Sequence, residues 1–130
     1  MIEGACHCGH LSWRFDADPV SATACNCTIC RRYGALWAYG HEGETVTVTG
    51  ETRIYMHGDR DLEFHSCARC GCIGYWRQAT PGEDGRRRIG INLRLAALDA
   101  VAALPLKHLD GFETWRSMPR DTLCVGDIWF

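Results

Sequence analysis

Hydrophobic and polar residues alternate over short stretches of this chain and seldom recur at helical spacing. Leu11, Trp13 and Phe15 alternate with polar neighbours, and residues 16–19 close the run. Residues 35–39 form a short aromatic-rich run that ends at Gly40. Over residues 45–49, valine alternates with threonine up to Gly50. Residues 53–57 and 62–65 flank Gly58 and Asp59, a dipeptide suited to a hairpin turn. Residues 73–77 and 88–92 flank a polar loop, 80–87, that contains Pro81, Gly82 and Gly85. This period of two predicts short strands about eight to twelve residues apart, hence a mostly β chain of the barrel or sandwich kind. The run 93–104 is the best helical candidate, because Leu95, Leu98 and Val101 or Ala102 recur at helical spacing before Pro105. Asp99 would instead cap a shorter turn. Residues 112–118 read as a second short helix or turn.

Length and charge narrow the picture. A chain of 130 residues fits one domain, 1–130, with a small core. A formal net charge of −2 gives no electrostatic footing for nucleic acid or a membrane surface. The N-terminal residues show no basic start followed by an apolar run, and no stretch approaches the roughly 18 apolar residues of a membrane span. A cytoplasmic location is the expectation. Nine cysteines in such a chain then need an explanation. In a reducing compartment, close cysteine pairs point to metal rather than to disulfides, and an odd number leaves one unpaired in any case.

The cysteines fall into clusters: Cys6 and Cys8; Cys25, Cys27 and Cys30; and Cys67, Cys70 and Cys72, with Cys124 alone. Residues i and i+2 of a strand share a face, so Cys6 and Cys8 can grip one ion from an extended segment. Cys67 and Cys70, followed by Gly71, can converge from a tight turn. Pairing these two sets gives Cys6, Cys8, Cys67 and Cys70, the four thiolates that a closed structural zinc takes at about 2.3 Å each. Such a site would staple the N-terminal strand to the middle of the sheet. The other cluster offers three thiols within six residues, Cys25 to Cys30. Three protein ligands leave a zinc ion one open position, as in catalytic sites. The alternatives are a second closed site completed by a histidine or Cys72, or a metal-free redox cluster. Cys72 and Cys124 read as small apolar fillers.

At these spacings the chain resembles the glutathione-dependent formaldehyde-activating enzyme (GFA) family, also called the centromere-protein-V family. The resemblance is carried by Cys6-x-Cys8-Gly9, Cys25-x-Cys27-x-x-Cys30-Arg31 and Cys67-x-x-Cys70-Gly71. It extends from about Gly4 to about Trp115 and includes the stretch 106–115. It implies small stacked β-sheets (a β-tent, Mss4-like) stapled by zinc, with one or two short helices. It implies two zinc ions: a structural one on Cys6, Cys8, Cys67 and Cys70, and a labile one on Cys25, Cys27 and Cys30. It further implies a carbon–sulfur lyase that forms or cleaves the S-hydroxymethyl adduct of glutathione, or a similar thiol, with an aldehyde.

Candidates for the rest of a site follow by residue type. His65, His41 and Tyr39 can supply a proton to an alkoxide. Arg31 and Arg32 directly follow the three-cysteine cluster and can pair with the carboxylates of a thiol substrate; a solvated charge pair is the competing reading. Trp37, Tyr39, Trp76 and Trp115 can line a pocket, although packing is the commoner role of such residues. Arg86, Arg87 and Arg88 are expected to face water from their loop. A non-catalytic thiol carrier and a zinc-stapled interaction module stand as the alternatives to an enzyme.

Overall fold

The computed structural model describes residues 1–118 and 123–128. Short strands, most of them paired antiparallel, build two sheets. Strands β1 (Ile2–Ala5), β2 (Ser12–Phe15) and β5 (Val46–Thr49) form the smaller one, in the order β1-β2-β5. The other strands are β3 (Ala22–Cys25), β4 (Leu36–His41), β6 (Thr52–Tyr55), β7 (Leu62–Cys67), β8 (Ile73–Gln78), β9 (Arg88–Asn92), β10 (Leu106–Leu109) and β11 (Ser117–Met118). They form an eight-stranded sheet in the order β11-β10-β3-β4-β9-β8-β7-β6. Only the β3–β10 pairing among these is parallel.

The smaller sheet follows the expected alternation. Trp13 and Phe15 of β2 are buried, while Arg14 between them is exposed. Trp13 lies opposite Gly4 of β1. A Cβ at Gly4 would sit 2.3 Å from the indole, so only glycine admits the ring there. The three central strands of the large sheet, β4, β9 and β8, read as near-continuous buried runs because both faces are covered. Along β4, Leu36 and Ala38 join the core between the sheets, with Leu11, Trp13, Phe15, Ile89 and Ile91. Trp37, between them, points the other way. It packs with Phe64, Ile73 and Trp76 in a second apolar cluster that includes Cys27 and Cys30. The sheet thus has a core face and a second face, and the three-cysteine cluster belongs to the second.

One expectation is corrected. The run 93–104 is not one helix: it is a 3-10 turn, Leu93–Leu95, followed by a single helical turn, α2 (Leu98–Val101). Leu93 and Val101 are both drawn into the core, and Ala96 is extended between them, so burial overrides the helical spacing. Of the two readings of residues 112–118, the structure has the turn, which leads into β11. The other short helix, α1 (Cys30–Tyr33), begins inside the cysteine cluster and stops at Gly34, whose φ of 62° suits glycine. Strands β6 and β7 do form a hairpin around Gly58 and Asp59, with a loop wider than a two-residue turn.

Candidate metal centres and the cavity over them

The Sγ atoms of Cys6, Cys8, Cys67 and Cys70 all lie within 4.8 Å of one another. Cys8 Sγ is 3.6 Å from Cys6 Sγ and 3.7 Å from Cys67 Sγ. Four thiolates about 2.3 Å from one tetrahedral ion require nearly this separation. The first pair comes from the turn between β1 and β2, the second from the turn between β7 and β8. The turns are shaped for sulfur. The Leu11 N–H donates to Cys6 Sγ at 3.2 Å, and the Arg69 and Cys70 N–H groups donate to Cys67 Sγ at 3.4 and 3.5 Å. Amides of Cys72 and Cys8 pull the Cys70 thiol down to about 5. At Cys8 the His10 amide acts in the same direction, but burial and the hydrogen bonds to Cys6, Cys67 and Cys70 prevail and raise it to about 11. The donor set fits a closed zinc site. Cys72 stands at its edge: its carbonyl accepts from the Cys67 N–H at 2.9 Å, and it packs half-buried against the core.

The Sγ atoms of Cys25, Cys27 and Cys30 also lie within 4.8 Å of one another. Cys25 ends β3, Cys27 lies in the turn that follows, and Cys30 opens α1. The chain thus passes from a strand through a turn into a helix, and the three sulfurs converge. The Cys27 N–H donates to Cys25 Sγ at 3.5 Å and the Cys30 N–H to Cys27 Sγ at 3.4 Å. The Trp37 indole N–H donates to Cys30 Sγ at 3.2 Å. The Cys30 thiol donates towards Cys25 and so keeps its own proton; Cys25, also reached by the Cys27 and Gly111 amides, falls to about 6 against the pull of burial. Three soft donors ringed by N–H groups fit zinc with one position left open.

The open side faces a cavity of about 520 Å³ that all three cysteines line. Trp37, Phe64 and Trp76 form its floor, with Ile29 and Leu62 beside them. A loop of residues 110–116 supplies the far wall through Phe112 and Trp115. Asp110 ties that loop: its carboxylate accepts from the N–H groups of Phe112, Glu113 and Thr114 and from the Thr114 hydroxyl. These bonds hold Asp110 down at about 2. Gly111 brings the loop onto the cluster, where a Cβ would lie 2.5 Å from Cys25 Sγ.

The structure sorts the remaining candidates. Trp37, Tyr39, Trp76 and Trp115 all line the cavity. Tyr39 is held above its usual range by burial, hydrogen-bonds Thr23 and feels the Cys25 and Cys30 sulfurs. Arg31 and Arg32 are exposed on α1 and do not line this cavity; Arg32 donates to the Thr28 carbonyl at 2.8 Å and borders a smaller depression beside it. His65 is 2 % exposed and is spent on Thr52 and Glu63. His41 contacts Arg86. The sequence reading missed Arg88 and His57, both of which line the cavity. Arg88 stands over the Tyr39 and Trp76 rings, 5.9 and 6.0 Å from their centroids. Its position at the start of the strand read over residues 88–92 was the one available signal. Among the described residues no helix is long and apolar enough to cross a membrane.

A mostly β chain with one four-thiol and one three-thiol centre defines a class of cysteine-rich metal-site proteins. Comparison with known families specifies it. The model of the glutathione-dependent formaldehyde-activating enzyme family matches residues 1–106, and the chain belongs to that family. A Halomonas elongata protein named "Putative glutathione-dependent formaldehyde-activating enzyme" is 32 % identical over 81 residues. That match takes in 54 % of this chain and 52 % of the relative, so the chain spans about half the length of the curated relative it matches. A solved crystal structure of a Rhodobacter sphaeroides protein aligns with a TM-score of 0.56 and 25 % identity, covering 72 % of this chain and 86 % of that one.

Proposed function

We propose that residues 1–130 form one GFA-type domain that holds two zinc ions and acts as a carbon–sulfur lyase, joining or splitting the adduct of glutathione and formaldehyde. The observation that carries this reading is the opening of the Cys25, Cys27 and Cys30 cluster into a cavity. The family's name supports the substrates. Nine free thiols support a reducing compartment, the cytoplasm.

Cys25, Cys27 and Cys30 would hold a zinc ion, whose charge would lower the pKa of a substrate thiol so that it reacts as the thiolate at neutral pH. The sulfur lone pair forms the bond to the carbonyl carbon, the carbonyl π pair moves to oxygen, and that oxygen takes a proton. In the lyase direction the proton leaves, the carbonyl re-forms and the carbon–sulfur bond breaks. Tyr39, a phenol protonated at neutral pH that lines the cavity, donates a hydrogen bond to this oxygen. Trp37 holds Cys30 in place, and Gly111 holds the loop over Cys25. Because thiols add to formaldehyde readily without a catalyst, positioning is the chain's main contribution. Arg88 takes over the carboxylate-pairing role first considered for Arg31 and Arg32.

The test is the rate of exchange between formaldehyde and its glutathione adduct, followed by NMR. Zinc-loaded protein should exceed the spontaneous rate, and Cys27→Ser should return it to background with the fold intact. Wild-type protein no faster than buffer would exclude the lyase and leave a thiol carrier.

A further inference from the structure

The cavity over the three-cysteine cluster is built for more than a one-carbon aldehyde. Its volume, about 520 Å³, is that of sites which enclose a whole drug-sized molecule. A hydroxymethyl group adds one carbon and one oxygen to a thiol and would leave the aromatic walls wet. Those walls are unusually exposed for their chemistry: Phe112 is 65 % and Trp115 64 % exposed. Rings this size gain stability when something apolar covers them. Glutathione is a poor cover by itself. It is a polar peptide with an ammonium group, and no aspartate or glutamate is among the described residues that line the cavity.

One charge is provided, and it is positive. Arg86 pairs with Glu44, Arg87 with Glu42, and Arg77 with Glu42 and Glu63. Arg88, next in the chain, has no ion pair among the described residues; it rests instead on Tyr39 and Trp76. A guanidinium that lies about 6 Å from two ring centroids and lines the cavity is placed to receive a carboxylate. Phe112 and Trp115 lie outside residues 1–106, so the family match does not cover the wall that they form.

The geometry points to a substrate whose carbonyl-derived half is aromatic: this site takes the hemithioacetal of a carboxylate-bearing thiol with an aromatic aldehyde. The ring lies among Trp76, Phe112 and Trp115, and Arg88 pairs with the carboxylate. This inference rests on the thiol–aldehyde reading of the three-cysteine site.

Inert thioethers test it without turnover. Calorimetric titration of the zinc-loaded protein compares S-benzylglutathione with S-methylglutathione. The benzyl compound is expected to bind at least about tenfold more tightly, equivalent to about 1.4 kcal/mol. Phe112→Ala and Trp115→Asn should each cut that ratio to about threefold or less. Asparagine is chosen because it tolerates the φ of 56° at Trp115. Arg88→Met should weaken both compounds about equally, since the carboxylates are common to them. Equal affinity for the two thioethers, failure of the benzyl compound to bind, or a ratio indifferent to both wall variants would overturn the inference. Formaldehyde turnover with equal affinities would defeat this inference alone. A tenfold ratio without turnover of any adduct would defeat the lyase reading and leave the cavity's preference standing.

Discussion

The indole N–H of Trp37 donates to Cys30 Sγ at 3.2 Å, with the ring itself 1 % exposed. This bond joins the apolar second face of the large sheet to the metal-binding cluster. Trp37→Phe keeps a ring of similar shape and removes the donor. It should cost about 1–3 kcal/mol, the range for a buried polar group left without its partner. Chelator should also strip the three-cysteine site faster, while the four-cysteine site holds its zinc. Unchanged stripping kinetics would show that the indole is only packing there.

Gly111→Ala tests the contact between the loop and the cluster. The added Cβ meets Cys25 Sγ at 2.5 Å and Cys27 Cβ at 2.8 Å, so the loop has to retreat. Zinc at the three-cysteine site should become easier to remove and exchange activity should fall at least about tenfold, because small displacements in a site cost rate steeply. A variant with wild-type zinc retention would mean that the loop does not need this close approach.

Cys67→Ser removes a donor from the closed site that ties the β1–β2 turn to the β7–β8 turn. Structural zinc contributes its binding free energy to folding, about 10–16 kcal/mol in small zinc peptides. The expected result is a large fall in Tm or failure to accumulate folded protein. Cys27→Ser is expected to change Tm much less. Equal losses in the two variants would contradict the division into a structural and an open site.

The loop of residues 110–116 has a defined pH window. Hydrogen bonds hold Asp110 at about 2, below its ordinary 3.8. A depressed carboxylate contributes its stability above the unfolded value and loses it as the pH falls through the folded one. Amide exchange at residues 112–114 should therefore stay protected from neutral pH down to about 4 and lose protection towards about 2. Asp110→Asn should lack much of this protection at every pH. Protection lost well above the ordinary carboxylate value would contradict the capping role.

Much of this was legible in the sequence where local pattern and tertiary role agree. The strand Arg88–Asn92 was read with its correct bounds, and the alternation around Trp13 and Phe15 marked β2. Cysteine spacing, together with the family resemblance, grouped the sulfurs that the fold brings together. Other elements left no such trace. β3 and β10 are short and pair parallel across a long connection, so neither has a hairpin turn to announce it. Leu95 and Leu98 keep helical spacing, yet the chain bends there to bury Leu93 and Val101. The cavity was invisible because its walls come from α1, β4, β8, β9 and the loop after β10. Arg31 and Arg32 adjoin the cluster in sequence and lie exposed on α1 without lining the cavity, whereas Arg88 reaches it from a strand almost sixty residues on.

The most direct test is zinc per chain by elemental analysis, before and after mild chelation, with and without glutathione. The account predicts two zincs, of which one is readily stripped and is perturbed by glutathione while the other is retained. One tightly held zinc that ignores glutathione, in protein remetallated under reducing conditions, would contradict an open thiol-binding centre at Cys25, Cys27 and Cys30.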